Sequence, residues 1–421
     1  MKELFGINRP AGGGWRAAAG VLFLTAMVWG ICFYCPTVWV VTGIGESNRP
    51  FFDLYGIMAA VDGVKAGMNP FLPNNLDPYN RPFLYSEWWL AVGHLGLGRE
   101  DVLWMGYCIL AVTLVGALVI LRPSTRLECF STFFFLISPA MLMAVNRANN
   151  DLLIFVLISL ALLLLRFKRW PHQALGVLLL AAAAPLKYYP LIAIIVLLDA
   201  RSLRSLGAFF GLYVLVLVLS WPALEAGFRA ASRYSPQPDW LYAYGAPVML
   251  RNFGVSAFTS WIVPVGIFLL WAISILPTLK LEASVPVKEQ ESAKRRELIC
   301  GAALLVGLFF LGATYVYKLV FALWLLPWLC AEHHDESESR WCRITRWTLL
   351  GVAWLEGGMA VILNLLVVRV SGSLAGSLLK GTLFLSQLLT WVLIACLIRF
   401  LLVYFKQRCR ELLQKVEPGR A

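Results

Sequence analysis

The chain has 421 residues, of which 60% are hydrophobic and 14% charged, with a formal net charge of +12. Soluble domains carry roughly 25% charged residues, so this apolar excess excludes one water-soluble core and reads as a single polytopic membrane domain over 1–421. The basic residues fall mostly in segments assigned to the side of the N-terminus, as the positive-inside rule expects, and not in a basic stripe interleaved with aromatics, which excludes a nucleic-acid partner.

Basic residues and a glycine run occupy 1–16, and 17–41 is the first membrane helix, N-terminus inside. It is long enough to cross ~30 Å of hydrocarbon and has no small-residue cleavage site after it. Residues 42–101 form a polar extracytoplasmic loop. Within it, apolar spacing predicts a helix over 51–67, and Trp88 and Trp89 mark an interfacial helix over 86–97. The second membrane helix is 102–121 and the third 129–145. The polar hexapeptide 146–151 lies outside, and 152–165 returns to the inside.

Residues 174–198 are apolar but interrupted by Pro185, Lys187 and Pro190, with basic groups at both ends. Two half-length helices with a turn at 186–190 satisfy that pattern. Irregular backbone at that depth must be buried in protein or line a wet cavity. A helix over 206–219, an outside loop over 221–255 and a helix ending near 278 follow. Residues 279–297 read as a cytosolic linker. A second short pair, 298–312 and 319–329, echoes the first, as broken pairs around a central site do in transporters. Helices at 347–366 and 379–405 and a basic cytosolic tail at 406–421 complete an all-α bundle. It has about twelve segments (ten to thirteen) in the inner (plasma) membrane, with both termini cytoplasmic.

The nine cysteines are scattered. The Cys32/Cys35 pair has no second pair, and His333 and His334 sit in a charged loop, so no structural metal or disulfide framework is expected. No cofactor is expected either, and a divalent cation is left open.

Ionisable groups at membrane depth are costly, and each is a functional hypothesis. Asp53, Asp62, Arg81, Glu87, Arg147, Asp151, Lys187 and Lys318 come from different segments yet map to the outside face. Three cations, Arg147, Lys187 and Lys318, suit a phosphate or pyrophosphate at the membrane surface. A carboxylate in the first outside loop suits a general base. Tyr79, Tyr85, Tyr188, Tyr189, Tyr315 and Tyr317 suit a sugar or an isoprenoid. Together they describe sugar transfer from a polyprenyl carrier.

Several fragments also resemble the C-type membrane glycosyltransferases, specifically family 87 and related polyprenyl-phosphate mannosyl- and arabinosyltransferases. These are Phe52-Asp53-Leu54-Tyr55 with Ala66-Gly67-Met68-Asn69-Pro70-Phe71; Arg147-Ala148-Asn149-Asn150-Asp151; Ala184 to Leu191 around Lys187; and Tyr317-Lys318 with Leu326-Pro327. The resemblance covers roughly 50–330 in order. It implies a membrane bundle with a re-entrant core and Asp53 as base. It also implies inverting transfer of a mannose-like hexose or pentose from a polyprenyl-phosphate donor to a hydroxyl of a lipid or glycan acceptor. Tyr79-Asn80-Arg81-Pro82 departs from the family's Tyr-Pro-Pro, the late basic position is Lys318, and no Asp-x-Asp points to a nucleotide sugar.

On this reading Asp53 is catalytic, and Arg147, Lys187 and Lys318 bind the donor phosphate. Asp62, Tyr79, Arg81, Tyr85, Glu87, Asn149, Asn150, Asp151, Tyr188, Tyr189 and Tyr317 contact substrate, with Asp62 and Glu87 as fallback bases. Membrane lipids are the remaining partners. The alternative is a transporter or flippase for a lipid-linked sugar; a structural membrane subunit is a third.

Overall fold

In the computed structural model the described residues are 13–44, 50–199, 202–234, 242–251, 289–312, 314–331, 336–366 and 372–416, with scattered positions between 255 and 273. They are almost wholly helical. In chain order the helices are α1 (Gly13–Tyr34), α2 (Thr37–Val41), α3 (Phe52–Lys65), α4 (Val102–Leu121), α5 (Arg126–Leu136), α6 (Pro139–Arg147), α7 (Asn150–Leu164) and α8 (Trp170–Leu186). Then come α9 (Leu203–Leu219), α10 (Trp221–Tyr234), α11 (Val248–Arg251), α12 (Glu289–Leu311), α13 (Leu326–Leu329), α14 (Glu336–Leu366) and α15 (Gly372–Val416). Tighter 3-10 segments cover Glu87–Leu95, Tyr189–Asp199 and Val316–Leu325. Two short strands, β1 (Ala243–Tyr244) and β2 (Thr314–Tyr315), pair antiparallel.

Among the described residues four helices are long and apolar enough to cross a membrane, and five if the bent pair α5–α6 counts as one span. Shorter apolar helices, α7 and α8 among them, pack between them. These lengths and this composition make the chain a membrane protein.

Several expectations change in detail. The single helix expected over 129–145 is α5 and α6, bent by 52°. The cause is local: Ser138 caps α6 by accepting from Met141 N–H, and Pro139 fits the first turn of a new helix but not the middle of an old one. The first helix of the outside loop, expected over 51–67, is α3 at Phe52–Lys65. Most of α3 is buried, including Leu54, Ile57, Met58 and Val61. The expected linker 279–297 is helical where described, because α12 already starts at Glu289. Likewise α15 carries the expected tail as far as Val416. The helix expected to end near 278 lies largely outside the described residues.

Both interrupted pairs are present. Helix α8 ends at Leu186, one residue after Pro185, and Lys187 is extended. Pro190 disfavours α geometry at Tyr189 before it and cannot donate to a ladder. The chain resumes as the tighter segment Tyr189–Asp199. The second break follows α12 at Gly312, whose φ of 146° is open essentially to glycine alone. These two breaks deliver Lys187 and Lys318 to the same end of the bundle.

At the opposite end lies a set of ion pairs: Glu128 with Lys294, Arg166 with Glu297, and Arg296 with Asp199. Helix α7 runs between the two polar ends. Its 15 residues span about 22 Å, short of ~30 Å of hydrocarbon.

The start of α3 is fixed by Phe51. Its ring is fully buried against Gly106 of α4, its N–H donates to Asn146 O at 2.6 Å, and its φ is +65°. A Cβ at Gly106 would stand 2.2 Å from Phe51 Cδ2, while one at Gly116, further along α4, would meet only an ordinary contact with Val156. Overpacking costs ~1–3 kcal/mol. Gly106→Ala is therefore expected to lower the thermal unfolding temperature in detergent. Gly116→Ala, which gains helix propensity without a clash, leaves it unchanged or higher.

Candidate functional site

The site is assembled on the hexapeptide 146–151. Arg147 ends α6, and Ala148 turns the chain in a left-handed conformation with φ 40°. Alanine has a Cβ penalty there that glycine lacks. The sharp turn starts α7 at once, with Asn149 as its cap: Asn149 Oδ1 accepts from Asp151 N–H at 2.9 Å. The other end of the same amide donates to Asp53 Oδ2 at 2.5 Å. One buried side chain therefore joins the helix start to the first outside loop.

Asp53 lies in the first turn of α3, where the helix N-terminus favours a carboxylate. It is buried, 6% exposed. Arg147 Nη1 stands 3.5 Å and Arg81 Nη1 4.0 Å from its Oδ1. Arg81 is anchored by Asp77: Nε to Oδ1 and Oδ2 at 3.1 Å each, and Nη2 to Oδ2 at 2.7 Å. Its guanidinium lies 3.7 Å from the centroid of the Phe52 ring.

Asp151 is fully buried. Lys187 Nζ reaches its Oδ1 at 2.5 Å, Lys318 Nζ its Oδ2 at 2.7 Å, and the Tyr189 hydroxyl also donates to Oδ1. Lys187 further donates to Asn150 Oδ1 at 2.7 Å. Lys318 sits 4.2 Å from the Tyr189 ring centroid and 5.5 Å from that of Tyr317. Two lysine amines thus face one carboxylate at this end. Tyr85 lies between the two halves, with Lys187 Nζ 5.4 Å from its ring. Desolvation first, and then the charge of Asp53, push its phenol well above the usual range, so it stays neutral.

The late segment is placed by the strand pair. Buried Glu356 of α14 accepts from Tyr242 N–H and from the Ser386 hydroxyl, and Gln387 of α15 donates to Ala243 O at 3.0 Å. These contacts hold β1, and β1 holds β2. Tyr315, at the end of β2, then stacks on Tyr317 with centroids 5.6 Å apart and meets the Arg147 guanidinium at 5.1 Å.

The four expected residues Asp53, Arg147, Lys187 and Lys318 thus belong to one connected cluster, with Arg81, Tyr85, Asn149, Asn150, Asp151, Tyr189 and Tyr317 inside it. They divide in two: Arg147 stands with Asp53, and only the lysines stand on Asp151. Of the others, Asp62 and Glu87 are placed apart, while Tyr79, 5.7 Å from the Arg81 guanidinium, and Tyr188, 6.1 Å from the Tyr189 ring, lie at the cluster's edge. Asp62 sits nine residues further along α3, about 13 Å of rise, and its carboxylate is spent on Arg99 Nε at 2.9 Å. Glu87 lines a separate cavity of about 560 Å³ with Trp88, Leu186 and Ser220. Tyr79 is half exposed at the edge of Phe52, and Tyr188 packs towards Phe228. Phe52 and Asp77 carry parts of the site that their residue types alone did not announce, and Glu356 was legible only as an acid inside an apolar helix. No group of three or more His, Cys, Asp or Glu able to hold a metal occurs among the described residues. Comparison of the chain with protein-family models, with curated proteins and with solved structures returns no match.

Breaking a buried ion pair by removing one partner costs ~3–5 kcal/mol, because the other charge is left bare. Asp151→Ala is expected to destabilise the protein by that order, read as a lowered unfolding temperature and reduced yield of folded protein. Asp62→Ala, at a partly exposed pair, loses ~1 kcal/mol or less.

Proposed function

We propose that the protein is a membrane glycosyltransferase that moves a sugar from a polyprenyl-phosphate donor to an acceptor hydroxyl on the extracytoplasmic side, with inversion. The observation that carries the reading is the placement of one buried carboxylate, Asp53, beside a cluster of cations supplied by three other segments. The chain crosses the inner membrane in about twelve segments with both termini cytoplasmic.

Asp53 is the general base. Its Oδ2 is occupied by Asn149, while Oδ1 faces two guanidiniums only at 3.5 and 4.0 Å. Oδ1 is therefore the oxygen that takes the proton as the acceptor attacks the anomeric carbon. The departing phosphate belongs at the lysine end, where two amines converge. There Lys187, with Lys318 behind it, stabilises charge that develops in the transition state. Asp151 holds both ammonium groups in place before substrate arrives, so little reorganisation is left for the reaction itself. Tyr317 and Tyr85 supply neutral aromatic walls. Helix α7 is short, which sets the site below the headgroup level, within reach of a lipid-borne phosphate.

A general acid or base contributes on the order of 10²–10⁴-fold. In membranes expressing the protein, Asp53→Asn is expected to reduce transfer of labelled sugar from polyprenyl-phosphate donors by at least ~10²-fold at equal expression. Asp62→Asn and Glu87→Gln, outside the cluster, are expected to retain transfer. Undiminished transfer in Asp53→Asn sinks the base assignment. Translocation of lipid-linked sugar without transfer favours a flippase.

A further inference from the structure

The donors around Asp53 and Asp151 are unequally spent. Lys187 and Lys318 both end on Asp151. Arg81 commits Nε and Nη2 to Asp77 and to Phe52 O, the last at 3.1 Å. Its Nη1 is directed at Asp53 Oδ1 from 4.0 Å, beyond hydrogen-bonding range. Arg147 makes one hydrogen bond among the described residues, 3.5 Å long, to the same oxygen. Both guanidiniums lie on Phe52, with Cζ 3.7 and 5.4 Å from the ring centroid. Their side chains are only 28% and 20% exposed. A guanidinium carries five donors, and buried donors are normally satisfied. Arg81 Nη1 and the Nε and Nη2 of Arg147 make no hydrogen bond among the described residues, so accessible donors of two guanidiniums gather around Asp53 Oδ1.

We propose that Arg81 and Arg147 form a fork for an oxyanion, a carboxylate or a phosphate carried by the acceptor next to its attacking hydroxyl. This rests on the glycosyltransferase reading. The fork is on the acceptor side because it meets Asp53 Oδ1, the oxygen that takes the acceptor's proton. In an inverting displacement the leaving phosphate lies on the opposite face of the anomeric carbon, towards the lysines. Asp77 fixes Arg81 so that its free edge is preset, and a planar fork matches carboxylate and phosphate geometry as an ammonium does not. The acceptor is thus an acidic glycan or a phosphorylated lipid, and a neutral sugar alone leaves the fork unfilled.

The test is binding to the full-length protein in lipid nanodiscs, read as a shift in thermal unfolding during titration with glucuronate, glucose 6-phosphate or glucose. The wild type is expected to bind one or both acidic probes at least ~10-fold more tightly than glucose, since a hydrogen bond to a charged group contributes ~1.5–3 kcal/mol. The preferred probe identifies carboxylate or phosphate as the source of the anion. Arg81→Gln and Arg147→Gln each remove that preference. Should Arg81→Gln fail to fold, Arg81→Lys, which keeps the charge but not the fork, carries the same test and loses most of the preference. Equal binding of acidic and neutral probes by the wild type overturns the proposal. So does acidic binding that survives the arginine variants and is lost only in Lys187→Gln. No donor and no transfer enter this measurement, so failure of the fork is distinct from failure of the Asp53→Asn transfer assay.

Discussion

The structure turns on the carboxylate of Asp151. It is fully buried, and three segments remote in sequence end on it: the start of α7, the break after α8, and the 3-10 segment that follows β2. A bare charge in that position is prohibitively costly, and so is a bare ammonium. Each break in the backbone exists where its lysine can reach this acid. The irregular turns are tolerated at that depth because they are buried in protein and because their polar side chains are mutually satisfied.

From Asp151 the order passes to Asp53 through a single amide. Asn149 serves two unrelated needs, capping α7 with its oxygen and binding Asp53 with its nitrogen. The left-handed turns at Phe51 and Ala148 lie on the two crossing backbones, which also bond directly through Phe51 N–H and Asn146 O. Positive φ at a phenylalanine and at an alanine costs conformational energy. That cost is offset by burial of the Phe51 ring against Gly106 and by the close approach that places Asp53 beside Arg147. The strain and the site share one location, as sparsely populated backbone conformations often do.

Much of this was legible from residue types. The span 102–121 coincides with α4, and Pro185, Lys187 and Pro190 marked the first break because proline and a charge are both foreign to a membrane helix. The hexapeptide 146–151 stood out for the same reason. What stayed hidden depends on pairing across long sequence separations. Asp62 and Asp53 are alike in sequence, both acids on one helix, but Arg99 neutralises the first and Asn149 holds the second. The division of the three expected phosphate-binding cations into an arginine beside Asp53 and two lysines on Asp151 follows from which carboxylate each reaches. The kink before α6 was available in Ser138-Pro139, a helix-start signature inside an apolar run. The helical start of α12 was obscured by its charges, which resemble a solvated linker until their partners Glu128, Arg166 and Asp199 are seen.

The distribution of charge has a consequence for chemistry. A cation that must stabilise a growing negative charge works best when it is already in position, and in a medium of low dielectric an unpaired cation will not stay there. Asp151 resolves the conflict by holding two lysine amines with one carboxylate, which fixes both. The arginine end resolves it differently. Asp77 neutralises Arg81, and Asp53 faces Arg147 from the limit of hydrogen-bond range, so the net charge there is near zero while several N–H donors remain open. The two ends of the site are therefore built differently, with lysine amines held on one carboxylate at one end and guanidinium donors around another at the other. The proposed transfer, in which a phosphate leaves a sugar at one end while a hydroxyl loses its proton at the other, would use that difference between the ends.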